Sequence, residues 1–148
     1  MKLSTSITIG LMLLAVLVEL MVDQKSAGQL IAEQYIGECK SVSFSKTTAF
    51  QSSNKTAIFF KFKGFQGPVE ALLVITNKKI EKLVIIKSNE GLDKSALDDP
   101  NFLKSFEQNL LDKPIIVDAV SGATISSQLI IDKINKILKE WNPENNGS

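Results

Sequence analysis

The chain has 148 residues, a formal net charge of +1 and 22% charged residues. That length suits one domain plus an accessory segment, and the near balance of Lys with Asp and Glu calls for no nucleic acid partner. There is no histidine and a single cysteine, Cys39, so the composition excludes an internal disulfide, a Cys-rich metal or iron–sulfur site and a His-ligated haem. Redox chemistry in such a chain needs an organic cofactor. Cys39 itself reads as a small, half-buried apolar residue.

Ile7 to Val18 is a nearly continuous apolar run, followed by Glu19 and then by Leu20, Met21 and Val22. A helix from Ile7 to Val22 reaches about 24 Å at about 1.5 Å per residue, somewhat short of a ~30 Å hydrocarbon core. Ser4, Thr5 and Ser6 can lengthen it and Lys2 can snorkel. A cleaved signal peptide is the rival, but no small-x-small site follows promptly. The expectation is a single-span transmembrane anchor over residues 1–24. Lys2 precedes the run while Glu19 and Asp23 come late, which places the amino terminus inside and the folded domain outside the cell. Glu19 either reaches the interface or pairs with a membrane subunit.

Residues 25–41 carry a partial helical stripe (Leu30, Ile31, Gln34, Tyr35) weakened by Gly28 and Gly37, and predict a helical stalk. Val42 to Phe50 predicts a short strand and Gln51 to Lys55 a loop. Ala57 to Phe62 is a strand rich in Phe, with Phe59, Phe60 and Phe62 as core and sheet-face residues. Gly64 to Pro68 is a turn. Val69–Thr76 and Ile80–Lys87 are β-branched runs joined by Asn77, Lys78 and Lys79, and predict an antiparallel hairpin. Asn89 to Pro100 is a polar connector. Asn101 to Leu111 predicts a helix burying Phe102, Leu103, Phe106, Leu110 and Leu111, ended by Pro114. Ile115 to Val117 predicts a short strand. Ile130, Ile134, Ile137 and Trp141, widened by Leu138, mark a final amphipathic helix, which Asn142-Pro143 closes. Residues 142–148 form a loose tail. The class is α+β: an antiparallel sheet packed by helices.

The junction before that last helix is the most informative stretch. Asp118-Ala119-Val120-Ser121-Gly122-Ala123-Thr124-Ile125-Ser126-Ser127 places hydroxyl side chains around a turn of small residues. A helix starting here aims unpaired N–H groups and a positive dipole end at one point, a place for a phosphate. Thr124 offers a hydroxyl for an ester. Read without a ligand, the same residues are a helix cap and a turn, and Asp118 accepts backbone N–H bonds.

Ser121-Gly122-Ala123-Thr124, preceded by Asp118 and followed by Ser126, resembles the flavinylation motif of the FMN-binding domain family. That family includes the G subunit of Rnf electron-transport complexes and the C subunit of sodium-translocating NADH:quinone reductases. Upstream, Gly64-Phe65-Gln66-Gly67-Pro68-Val69 resembles the family's Gly-Tyr-x-Gly-x-Ile element. Ser88-Asn89-Glu90-Gly91-Leu92 resembles its Glu-Thr-Pro-Gly-Leu loop, without the Thr-Pro. Ala119 stands where Gly is common and Ser126 where Thr is common. The likeness runs from about Gly64 to about Leu138.

The resemblance implies FMN joined covalently, through its phosphate, to Thr124 by a flavin transferase. Ser121, Gly122, Ala123 and Ile125 then frame the phosphate, and Ser126 is a further donor or a cap. Asp118 positions the hydroxyl, recruits the modifying enzyme or is a turn residue. Glu90, Gly91 and Leu92 lie against the ring or form an ordinary connector. Residues 42–141 are the FMN-binding domain. The implied protein is an electron-relay subunit, rather than an enzyme alone, of an Rnf-like or sodium-pumping oxidoreductase complex, with membrane subunits as partners. It sits in a bacterial or archaeal cell membrane with its soluble domain outside. The alternatives are a free-standing anchored flavoprotein serving an external acceptor and an assembly module without the flavin.

Overall fold

The computed structural model describes residues 25–44, 47–88, 96–119 and 124–141. The expected anchor and the tail lie outside these residues. Among the described residues no helix is long and apolar enough to cross a membrane.

Five strands form one antiparallel meander: β1 (Lys40–Phe44), β2 (Thr47–Gln51), β3 (Lys55–Lys63), β4 (Pro68–Thr76) and β5 (Lys79–Ser88), ordered in space as in sequence. Helix α1 (Ala27–Ile36) precedes the sheet. A 3-10 turn (Ala96–Asp98), the short helix α2 (Pro100–Lys104) and the long helix α3 (Thr124–Glu140) follow it. The expected antiparallel sheet packed by helices is present.

The sheet is covered on both faces. Ile58, Phe60, Ala71, Leu73, Ile75 and Leu83 point to one face, where they meet Leu97, Phe102, Phe106 and the α3 residues Ile130, Ile134 and Ile137. Ala57, Leu72 and Val74 point to the other, together with Phe50, and meet Ala32 and Ile36 of α1. Alternation along each strand produces this division, since successive side chains leave opposite faces. Phe59 joins the α1 face while Phe60 and Phe62 join the α3 face.

The segment expected as a stalk therefore lies against the sheet through α1. Ser26 caps that helix, its Oγ accepting the Gln29 N–H at 3.2 Å. Gly28 permits close approach: a Cβ there would stand 3.3 Å from Phe50 Cζ. Gln29 Nε2 donates to the Cys39 carbonyl at 2.9 Å and ties the helix to the start of β1.

Three elements differ from their sequence readings. The run Val42–Phe50 holds parts of two strands, β1 and β2, paired from Lys40↔Gln51 to Phe44↔Thr47. The helix expected over 101–111 stops at Lys104. Asp99 caps its start through the Asn101 N–H (2.9 Å), but Gln108 takes φ +66° and Asn109 Nδ2 donates to the Ser105 and Phe106 carbonyls at 3.0 and 2.9 Å. The chain then lies along β5: Gln108 N–H donates to Ile80 O (2.8 Å), Ile80 N–H to Asn109 O (3.0 Å) and Leu111 N–H to Lys78 O (3.1 Å). An otherwise open strand edge is satisfied in place of further helical turns, and Leu110, expected in the core, is exposed. Ile115–Val117 is extended but forms no strand.

Asn77 and Lys78, at φ +51° and +60°, make the two-residue turn between β4 and β5, the left-handed pair that matches strand twist. Beside it Glu81 accepts from Lys55 Nζ at 2.7 Å and from the Thr76 hydroxyl. The Lys55 contact, then the Thr76 one, hold the Glu81 carboxyl below the usual range.

Two outcomes follow. Ile134→Ala, at a fully buried position, lowers unfolding free energy by about 2–5 kcal/mol in urea titration. Because the folded pKa of Glu81 is depressed, its contribution is present above the unfolded carboxylate pKa and is lost as pH falls through the folded one. Glu81→Gln therefore narrows the gap between urea midpoints measured at about pH 6 and about pH 3. The effect is small, because the pair is partly solvent-screened.

Candidate functional site

Helix α3 sets the geometry of the junction. Its inner face, Ile130, Ile131, Ile134, Ile137 and Leu138, is buried against the sheet layer. That face extends back into the first turn through Ser126 and Ser127, four and three residues before Ile130, which are 7% and 0% exposed. Both serines are engaged in contacts of their own. Small side chains in the first turn let the helix end sit close to the core. Thr124 and Ile125 are left on the outside, and Ile125 is 57% exposed.

Thr124 is the first residue of α3. The N–H groups of a first turn have no acceptor within their helix, and the 17 residues of α3 place the positive end of a full dipole there. An exposed secondary hydroxyl thus stands among donors suited to a phosphate. Of the described hydroxyl residues in this turn, Thr124 alone is exposed.

The segment entering the site is held by a contact that sequence reading missed. The Ile115 N–H donates to Asn135 Oδ1 at 2.7 Å, and Asn135 Nδ2 donates to the Ile115 carbonyl at 3.1 Å. One side-chain amide thereby replaces a neighbouring strand, which is why Ile115–Val117 is extended without joining the sheet. Alternation persists: Ile115 is buried, Ile116 is 88% exposed, Val117 is half-buried and packs on the core, and Asp118 is exposed. From Asn135 to Thr124 is 11 residues of helix, about 16 Å. The signal for Asn135 was a lone amide beside the apolar stripe Ile130, Ile134, Ile137.

Ser121, Gly122 and Ala123 lie outside the described residues, as do Glu90, Gly91 and Leu92. Asp118 and Thr124 are placed, both exposed, at the two ends of the stretch that holds the motif. On the outer edge of β5 a groove of about 420 Å³ is lined by Tyr35, Lys82, Ile86, Ser88, Leu97 and Leu103. Lys82 Nζ lies 5.7 Å from the Tyr35 ring centroid. Among the described residues no group of His, Cys, Asp and Glu could hold a metal ion. Burial raises the Cys39 thiol pKa.

The model of the FMN-binding domain family matches residues 64–139, slightly more than half of the 148-residue chain. The match runs from the turn after β3 to the penultimate residue of α3 and includes Thr124. The chain belongs to that family. No curated protein matches the chain.

The two kinds of first-turn position respond differently to substitution. Ser127→Leu, which adds volume to a filled site, lowers stability by about 1–3 kcal/mol. Thr124→Ala, at an exposed position, changes it by less than about 1 kcal/mol in the same thermal or urea titration.

Proposed function

We propose that this FMN-binding domain carries its flavin covalently, as a phosphoester to Thr124, and serves as an electron-relay subunit of a membrane-bound Rnf-like or sodium-pumping quinone-reductase-like complex. The observation that carries the reading is the exposed Thr124 hydroxyl at the start of a 17-residue helix, inside the matched family region. The residues fit the group. The helix end supplies N–H donors for phosphate oxygens, the hydroxyl supplies the bridging oxygen, and flavin chemistry needs no histidine or metal ligand.

Bound FMN supplies reversible uptake and release of electrons. The chain's own part is to hold and orient. Forming the ester requires an activated FMN, a phosphoanhydride, as donor to the flavin transferase. The Thr124 Oγ–P bond forms, the P–O–P bond breaks, the departing phosphate takes the electron pair, and the hydroxyl proton passes to solvent. The product's remaining negative charge would be stabilised by the positive end of α3, an attraction of about 0.3–1 kcal/mol at an exposed site. In this reading Ser121, Gly122, Ala123 and Ile125 would hold the phosphate, and Asp118, Glu90, Gly91 and Leu92 are the further candidates for contact with the cofactor. Ser126 and Ser127 hold the first turn from inside.

A covalent tether suits a domain on the outer side of a cell membrane, where a dissociated cofactor would be diluted. The apolar run Ile7–Val22 anchors the domain beside the membrane subunits with which it exchanges electrons.

When the chain is produced together with a flavin transferase, denaturing gels show a fluorescent band for the wild type and for Thr124→Ser. They show none for Thr124→Ala. A fluorescent Thr124→Ala band of wild-type intensity contradicts the assignment.

A further inference from the structure

Charge is divided across the sheet. Residues 25–88, which supply α1 and the five strands, hold ten lysines and four glutamates, whereas residues 89–148 hold six lysines and ten acidic residues. A chain close to neutral as a whole therefore carries its positive charge on α1 and the sheet, and its negative charge in the part that supplies the helices of the other face.

The lysines gather on the face that α1 covers. Phe59 and Val74 belong to that face. Lys61 and Lys63 follow Phe59 at alternate positions of β3. Lys82 stands opposite Val74, and Lys87 stands opposite Glu70, which itself stands opposite Lys61. Strand alternation thus turns Lys61, Lys63, Lys82 and Lys87 to the α1 side, and each is exposed. They flank the helix at both ends. A Cβ on Gly28, in its first turn, would stand 3.9 Å from Phe59 Cγ, and Lys61 Nζ lies 5.6 Å from the centroid of that ring. Tyr35, in its last turn, has its ring centroid 5.7 Å from Lys82 Nζ.

The glutamates of this layer are already engaged. Glu33 pairs with Lys25, Glu81 with Lys55 and Glu70 with Lys61, at 2.8, 2.7 and 2.7 Å. Among the described residues, Lys63, Lys82 and Lys87 have no carboxylate at ion-pair distance. Leu30, on the outer side of α1, is 52% exposed.

We propose that this lysine-flanked α1 face docks on an anionic lipid surface, so that the domain rests on the bilayer by that face with α3 on the side turned away. The inference rests on the reading of Ile7–Val22 as a membrane anchor and is independent of the flavin.

Two observations favour lipid over an acidic polypeptide. The apolar run ends at Val22 and α1 begins at Ala27. That separation spans about 18 Å at most, so an anchored chain holds the start of α1 close to the headgroups. The tether itself presents lipid phosphates to the lysines, as a linked second site does. The lysines also surround an exposed leucine. Long amines reach phosphate oxygens while their stems and Leu30 lie at the apolar boundary.

The experiment uses the full chain in vesicles of phosphatidylcholine alone and of equal parts phosphatidylcholine and phosphatidylglycerol. A water-soluble acylating reagent is added briefly, and labelling of each lysine is read by peptide mass spectrometry. Lys104, Lys136 and Lys139, exposed on α2 and α3, are the internal reference. Relative to them, Lys63, Lys82 and Lys87 should be labelled several-fold more slowly in the anionic vesicles. The difference should vanish in about 1 M salt, where the Debye length is about 3 Å. Lys82→Gln combined with Lys87→Gln, folded by circular dichroism, should restore labelling of Lys63. If alkaline carbonate extracts the chain from phosphatidylcholine vesicles, the anchor reading fails and this inference with it. If the chain stays embedded but relative labelling is the same in both vesicles, the docking face alone is overturned, and the basic surface is left to an acidic protein partner.

Discussion

Burial of one face of α3 against the sheet is the constraint from which the site follows. Ile130, Ile134 and Ile137 are each almost fully removed from water, and burial of that size is worth about 1.5–3 kcal/mol per large aliphatic side chain. No other arrangement of a 17-residue helix would bury these positions together, so its axis and rotation are fixed by the core. Once they are fixed, the direction of every first-turn side chain is fixed as well. Ser126 and Ser127 fall inward, and Thr124 and Ile125 fall outward. The position of the hydroxyl is thus a consequence of packing on the far side of the same helix.

The sheet has a second consequence for the site. Because α1 covers the opposite face through Ala32 and Ile36, β4 is buried on both sides and gives α3 a stiff floor. The edge of β5 is closed at its start by residues 108–111, which brings the chain to α3 at Ile115. Asn135 then takes the backbone that the sheet does not. Each step hands the chain to a defined place, and Ile115 is held on the helix that begins at Thr124. Such preorganisation belongs to sites on helices and strands more than to free loops.

Sequence alone made parts of this visible, and for physical reasons. The β4–β5 hairpin was legible because two β-branched runs flank a short polar turn. The period of α3 was legible because its stripe is long and its polar face clean. The junction motif was legible because hydroxyl and small residues interrupt both patterns at once. What stayed hidden depended on distant partners. The shortening of α2 follows from the hydrogen-bonding demand of β5, some 25 residues earlier in the chain. The extended Ile115–Val117 looked like a strand because it alternates, but its partner is one side chain. Gly28 read as a weak point in a helix, yet it is where α1 comes closest to Phe50. The β1–β2 connection has neither Gly nor Pro, so two strands looked like one. The inward turn of Ser126 and Ser127 required the helix rotation, which only the assembled core supplies.

The claim at the centre is that phosphorus is joined to the oxygen of Thr124 and to no other hydroxyl in the junction. Intact mass and fragment-ion sequencing of the peptide around residues 116–133 test it most directly, on protein produced with a flavin transferase. The account predicts one adduct, equal to FMN less one water, with every fragment that carries it containing Thr124. An adduct on Ser121, Ser126 or Ser127, or a peptide of unmodified mass, would contradict it.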